Sequence, residues 1–295
     1  MNENSIKEIQ GMVEELSDRL AENFFQTIQI LSSIVLYTEK YYEGSHSRFV
    51  SEKSAQVAQE LGMKDEDVME VKIAGLLHDM GKIGFSDTLL YKHTAEMSES
   101  EIKQYHLYPI IGYQLLKQNN NFKDIAKIVL QHQEKLDGSG FPNHLHKDDI
   151  HPSAKIIIVA EHYHSAVYKR MKNRASFDAP STPLTSSSAF LDMTEERYKK
   201  EVNYLNKKKG VLFEKKVVDA FLNIIEIERS SIGEKTVTKI PVNKIEPGMI
   251  FADDYYTTYG MLIAAKGEIT SADMKNALVR FVESGELPPK ILVIT

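Results

Sequence analysis

The sequence predicts a mainly α protein: a helical bundle entered by one long N-terminal helix and followed by a small α+β domain. Three observations carry this. Apolar residues recur at steps of three and four from Ile6 through Ile9, Val13, Leu16, Leu20, Phe24, Ile28 and Leu31 to Val35, which is the period of one amphipathic helix over residues 5–37. Similar helical stripes follow one another to about residue 229. Beyond residue 236 the period shortens, with Val237, Ile240, Val242 and the run Ile291-Leu292-Val293-Ile294 reading as short strands around a helix at about 272–284.

A chain of 295 residues has room for a full core, divided here into an N-terminal helix (1–37), a larger helical unit (25–229) and the C-terminal unit (236–295). Its 42% hydrophobic and 26% charged residues are those of a globular protein, and the net charge of −6 argues against DNA or RNA as a partner. With no cysteine, disulfides, thiolate metal sites and cysteine nucleophiles are excluded. No apolar run approaches a membrane span and no signal-peptide pattern opens the chain, so a cytoplasmic protein that keeps off the membrane is expected. The charged first half of the long helix suits either a coiled coil between two copies, making a homodimer, or packing on the body.

The chemistry gathers at helix ends. A helix through Val68, Val71, Ile73, Ala74 and Leu77 runs into His78-Asp79-Met80-Gly81-Lys82. A polar pair closing so apolar a helix needs compensation, and imidazole and carboxylate are ordinary ligands of divalent metals. Gly81 is expected to end the helix, with Lys82 one turn past Asp79 where a phosphate could meet it. His46 stands at the start of a helix that runs on to Gly62. After an expected loop over 83–94, Ser98 and Glu101 form a capping-box pair, and the helix they start carries His106 and is expected to kink at Pro109. His132 and Gln133 extend the apolar face of Phe122, Ile125, Ile128 and Val129 into a tight loop, Asp137-Gly138-Ser139-Gly140-Phe141-Pro142. A buried helix over 154–168 carries Glu161 and His164. Residues 173–188 read as a flexible loop, and further helices are expected at about 191–204 and 213–228. Taken singly, each histidine reads as readily as a capping or core residue; four on separate helices point to a shared site.

Together these residues resemble the HD-GYP family, metal-dependent phosphodiesterases of the HD phosphohydrolase superfamily. The resemblance covers roughly residues 25–223 and rests on Gly44-Ser45-His46-Ser47-Arg48, His78-Asp79-Met80-Gly81-Lys82-Ile83-Gly84, His106, and His132-Gln133-Glu134 leading into Asp137-Gly138-Ser139-Gly140-Phe141-Pro142. It implies an HD-type helical bundle that hydrolyses cyclic di-GMP, or a related cyclic dinucleotide, to linear dinucleotide or GMP in bacterial second-messenger signalling. Two divalent ions, iron or manganese, are implied as cofactors, and signalling proteins as further partners. Carried over by position, His46, His78, Asp79, His106, His132 and Glu161 become metal ligands, with Asp79 bridging, and Gln133 falls on a ligand position as a poorer donor than imidazole. Asp79 and Lys82 become the catalytic pair, and Lys82, Arg170, Gly138, Gly140 and Phe141 meet the substrate. The chain departs from the family pattern at Gln133, where a second adjacent histidine is usual, at Glu161 for aspartate, at Phe141 for tyrosine and at His164 for a second aspartate. The resemblance thus also implies a rival: a catalytically impaired module that binds cyclic di-GMP, or a protein, as a signalling component. An HD hydrolase acting on another phosphorylated nucleotide is a third reading.

Overall fold

The computed structural model describes residues 3–36, 39, 46–92, 94–168, 187–232, 237–253, 255–257, 262–264, 270 and 272–294. The long helix α1 spans Glu3–Leu36, and the bundle continues with α2 (His46–Glu60), α3 (Asp65–Leu77), α4 (Asp87–Tyr91), α5 (Glu99–Tyr105), α6 (Tyr108–Leu116), α7 (Lys123–Gln131), α8 (Pro152–Tyr168), α9 (Ser187–Lys208) and α10 (Lys215–Ile232). The architecture is mainly α, as the sequence predicts.

α3 is the axis of the bundle. Val68, Val71, Ile73, Ala74 and Leu77 are all buried because α2, α7 and α8 pack around it. The α2–α3 crossing is close: a Cβ on Gly75 would lie 2.8 Å from the Ser51 Cα, so only glycine fits. α8 is buried on nearly every side, from Ala154 through Ile157 and Ala160 to Val167, which explains its unbroken apolar run. α1 joins this core through its second half, with Ile28 and Val35 buried and the Phe24 ring 5.2 Å from that of Phe122. On its first half Met12, Val13, Leu16 and Leu20 are exposed.

Three expectations are corrected. Gly81 does not end a helix: α3 stops at Leu77, and Gly81 lies in a 3-10 turn, Met80–Gly84, where a Cβ would meet the Tyr108 carbonyl oxygen at 1.9 Å. Its missing side chain serves the close approach of α6. The expected loop after Lys82 instead carries α4, capped by the Ser86 side chain, which accepts from the Leu89 N–H. Pro109 does not kink one helix but opens a second. The capping box of Ser98 and Glu101 starts α5, which ends at His106, and Pro109 stands in the first turn of α6, where its missing N–H costs nothing. Of the flexible loop expected at 173–188, only 187–188 are described, and these belong to α9.

The C-terminal residues have a separate core of Val242, Ile245, Phe251, Leu278, Ile291 and Val293. β1 (Val237–Pro241) and β2 (Ile250–Phe251) pair antiparallel with the two edges of β5 (Lys290–Ile294), while β3 (Tyr255–Tyr256) pairs with β4 (Leu262–Ala264). α11 (Ala272–Glu283) covers this unit.

Candidate metal centre

His46, His78, Asp79 and Glu161 converge in the bundle core although they come from α2, the end of α3 and α8. The two histidine Nε2 atoms are 3.1 Å apart. Glu161 Oε2 lies 2.6 Å from His46 Nε2 and 3.4 Å from His78 Nε2. Asp79 Oδ1 is 3.3 Å from His78 Nε2, and Oδ2 is 3.7 Å from His46 Nε2. All four residues are buried.

The local folding explains the aim of these side chains. His78 caps α3, where the last carbonyls have no partner within the helix. Its Nδ1–H donates to the Gly75 carbonyl at 2.7 Å, one turn back, which turns Nε2 into the core. His132 repeats the device at the end of α7, with Nδ1–H donating to Val129 O at 2.6 Å. A ligating histidine usually has its second nitrogen fixed in this way.

Burial raises the cost of charge on His78, Asp79 and Glu161, and only mutual compensation keeps these three ionised. Burial alone would raise the Asp79 carboxyl, yet the charges of His78 and Lys82 hold it below the usual carboxylate range. Burial opposes the charge on Glu161 in the same way, but His46 and His78 hold it well below that range. His78 is pushed up to about 9, since Asp79 and Glu161 outweigh its desolvation. Lys82 is itself buried, with Nζ 2.7 Å from Asp79 Oδ2 and 4.6 Å from the centre of the Tyr108 ring. It lies beneath Asp79, enclosed with it, and the pair is one unit.

A divalent cation fits this donor set. Asp79 Oδ1 and Glu161 Oε2 are fully buried acceptors that receive no aligned hydrogen bond. An imidazole lone pair and a carboxylate oxygen at 2.6 Å repel each other unless a proton or a cation lies between them. His46, His78 and Asp79 offer ligand atoms all within 4.8 Å of one another, and nitrogen–oxygen sets of this kind suit iron, manganese or zinc.

The other expected ligands are arranged differently. His132 is buried against this group, its ring 5.2 Å from that of His78, but its Nε2 accepts from the Tyr108 hydroxyl at 3.0 Å. Burial and the His78 charge push His132 down to about 3, so it is the neutral partner that this hydrogen bond requires. His106 caps α5 and stacks flat on Phe141, with centroids 3.9 Å apart, and none of its described contacts reaches Asp79 or Glu161. Gln133 is half-buried, and its backbone carbonyl accepts from Phe141 N–H at 3.2 Å. Arg170 lies outside the described residues.

The glycines expected at the substrate shape the loop. Gly138 has φ +78°, and a Cβ there would lie 2.5 Å from the His146 ring; a Cβ on Gly140 would lie 2.4 Å from Glu134 Cα. Phe141 is half-buried in the same loop. Glu134 organises it, its buried carboxylate accepting from Asn143 N–H at 2.7 Å and Leu145 N–H at 3.0 Å. Sequence reasoning gave no role to Glu134 or Tyr108; no spacing marks Tyr108, whose partner His132 is 24 residues away. Glu39, also missed, caps α2 by accepting from Ser47 N–H at 2.9 Å.

A mainly helical bundle whose core joins histidines and carboxylates from three helices defines a protein with a candidate metal site. The HD-domain family profile matches residues 29–201, and the chain belongs to that family. It is 32% identical over 189 residues to the cyclic di-GMP phosphodiesterase response regulator RpfG of Xanthomonas campestris pv. campestris, covering 62% of this chain and 44% of that protein. It is 30% identical over 220 residues to a cyclic di-GMP phosphodiesterase of Thermotoga maritima, covering 73% and 53%. It is 32% identical over 120 residues to the 3'3'-cGAMP-specific phosphodiesterase 3 of Vibrio cholerae, covering 41% and 26%. The chain thus spans about half the length of the first two relatives or less. No helix among the described residues is long and apolar enough to cross a membrane.

Proposed function

We propose that this chain is a metal-dependent phosphodiesterase that hydrolyses cyclic di-GMP to the linear dinucleotide or GMP. The observation that carries the reading is the buried set of His46, His78, Asp79 and Glu161 backed by Lys82. Relatives named for the hydrolysis of cyclic di-GMP support it.

His46, His78, Asp79 and Glu161 would hold the cation. Divalent ions bound there supply a water acidic enough to ionise near neutral pH and neutralise charge on the phosphate oxygens. The remaining work falls to the chain. His78 is locked by Gly75 O, so its Nε2 stays aimed without reorganisation. Lys82 keeps Asp79 ionised and would add a positive charge near a phosphate bound at the cluster. Ser165 Oγ donates to Glu161 Oε1 at 3.2 Å, which leaves Oε2 directed at the histidines. No serine or cysteine nucleophile is required. Arg170 is proposed as a further phosphate ligand on the strength of its position in the sequence.

A second reading has its own support. His132 is engaged by Tyr108 and His106 by Phe141, so the ligands expected for a second ion are occupied by aromatic partners. A module that retains one ion and binds cyclic di-GMP without turning it over would look like this. The deciding assay is product formation from cyclic di-GMP by protein purified anaerobically and loaded with iron or manganese, with Asp79→Ala as control. Linear dinucleotide or GMP from the natural chain and none from the variant supports the enzyme. Binding without product supports the receptor, and neither binding nor product refutes both.

A further inference from the structure

His78 and His132 each stand at the end of a helix, where a free backbone carbonyl one turn back fixes their Nδ1. His46 cannot use that device. It is the first residue of α2, and a helix start presents N–H groups, not carbonyls. Its Nδ1 instead lies 3.0 Å from Nδ1 of His164, which is 118 residues away on α8 and buried. Glu161 and His164 are three residues apart and so share a face of α8. That face grips both nitrogens of one ring: Glu161 Oε2 approaches His46 Nε2 at 2.6 Å while His164 meets Nδ1. His164 packs in turn against the rings of Phe49 and Tyr168, at 4.7 and 4.8 Å between centroids.

Two Nδ1 atoms at 3.0 Å form a hydrogen bond only if one carries a proton and the other a lone pair. A histidine that ligates through Nε2 keeps its proton on Nδ1, so the two demands have one joint solution. We propose that His164 is a positioning residue of the metal centre: its Nδ1 accepts the Nδ1–H of His46, which fixes the His46 ring and leaves the Nε2 lone pair facing the cation. His164 then carries its own proton on Nε2. The inference rests on the reading that this cluster takes a divalent ion, but not on which phosphodiester is cleaved. It also gives His164 a role distinct from that of a core filler, because a filler needs volume and this role needs an acceptor.

The test compares His164→Phe, which keeps a buried ring and removes the acceptor, with His164→Asn, whose side-chain oxygen can accept. Mn(II) affinity is measured by titration calorimetry on the full chain. Loss of a partner that orients a ligand lowers affinity on the order of 10–100-fold, so His164→Phe should fall by that factor while His164→Asn stays within about threefold of the natural chain. Separately, the long-range proton–nitrogen NMR spectrum of the natural chain loaded with diamagnetic Zn(II) should show His46 protonated at Nδ1 and His164 at Nε2. This reading needs no variant to fold. The proposal is overturned by His46 protonated at Nε2, by unchanged affinity in His164→Phe, or by a His164→Asn variant as weak as His164→Phe. A natural chain that takes up no Mn(II) overturns it together with the metal reading. A chain that binds Mn(II) as expected but leaves cyclic di-GMP intact refutes the proposed activity alone.

Discussion

Replacing Asp79 with asparagine removes one charge and almost no volume, which makes it a direct probe of the buried pair with Lys82. The Lys82 ammonium is 1% exposed and 2.7 Å from Asp79 Oδ2. Removing one partner of such a pair leaves an uncompensated buried charge, which costs about 3–5 kcal/mol. Two features reduce the figure. The Tyr108 and Tyr105 rings stay 4.6 and 5.6 Å from Nζ and retain part of the attraction, and the repulsion between Asp79 and Glu161 disappears. The expected loss is therefore about 3 kcal/mol, or about 6–12 °C in Tm for a unit of this size. Lys82→Met removes the cation and keeps the stem's packing. The double variant should be more stable than Asp79→Asn alone, with a coupling of about 2 kcal/mol. The assay is urea unfolding followed by far-UV circular dichroism, with EDTA present so that bound metal does not enter the balance. Purely additive effects, or a loss below about 1 kcal/mol for Asp79→Asn, would refute the account of Lys82 as the buried counter-charge.

Three more outcomes are expected. Tyr108→Phe strips the donor from His132 Nε2 and should cost about 1–2 kcal/mol in EDTA; if His132 can ligate, saturating Mn(II) should recover much of that loss, and unchanged recovery across both chains would exclude His132 from the site. Gly140→Ala drives a Cβ into the Glu134 backbone at 2.4 Å, so a loss of about 3 kcal/mol or more and a detached loop are expected, read as new proteolytic cleavage between Leu136 and Asn143. Glu201 is buried, 3.3 Å from His162 Nε2, and burial pushes its carboxyl up to about 8. The folded state thus holds a proton that the unfolded chain releases near 4.5, so stability is lost as pH rises towards 8, by about 1.4 kcal/mol per pH unit at most. His162, pushed down to about 4 by burial, acts in the lower window. Between pH 6.5 and 8 the slope of Tm against pH should therefore be less steep in Glu201→Gln than in the natural chain, and equal slopes would show that Glu201 is ionised throughout.

Much of this protein was legible in the chain because the signals are local. The three-and-four spacing marks α1, the Ser98–Glu101 pair starts α5 by satisfying its own first turn, and the continuous apolar run of α8 announces burial on nearly every side. His78-Asp79 stood out for the same reason, as a costly polar pair at the end of an apolar helix. Where the sequence misled, a distant neighbour had overruled a local rule. Gly81 looks like a helix terminator, but α6 needs its missing Cβ; Pro109 looks like a kink, but the chain turns before it and uses it to begin again.

What the sequence by itself determined was the class of fold and the types of side chain able to meet a cation. Both follow from periodicity and chemistry within a few residues. Only the tertiary structure decided which of those side chains meet. His46 faces His78 at a separation of 32 residues and His164 at 118, while Tyr108 takes the nitrogen of His132 and Phe141 covers His106. Such partnerships depend on how α2, α3, α7 and α8 cross, and crossing is settled by packing of the whole core. A histidine's neighbours fix which nitrogen carries its proton, so the choice between ligand, cap and stacked ring is made in three dimensions.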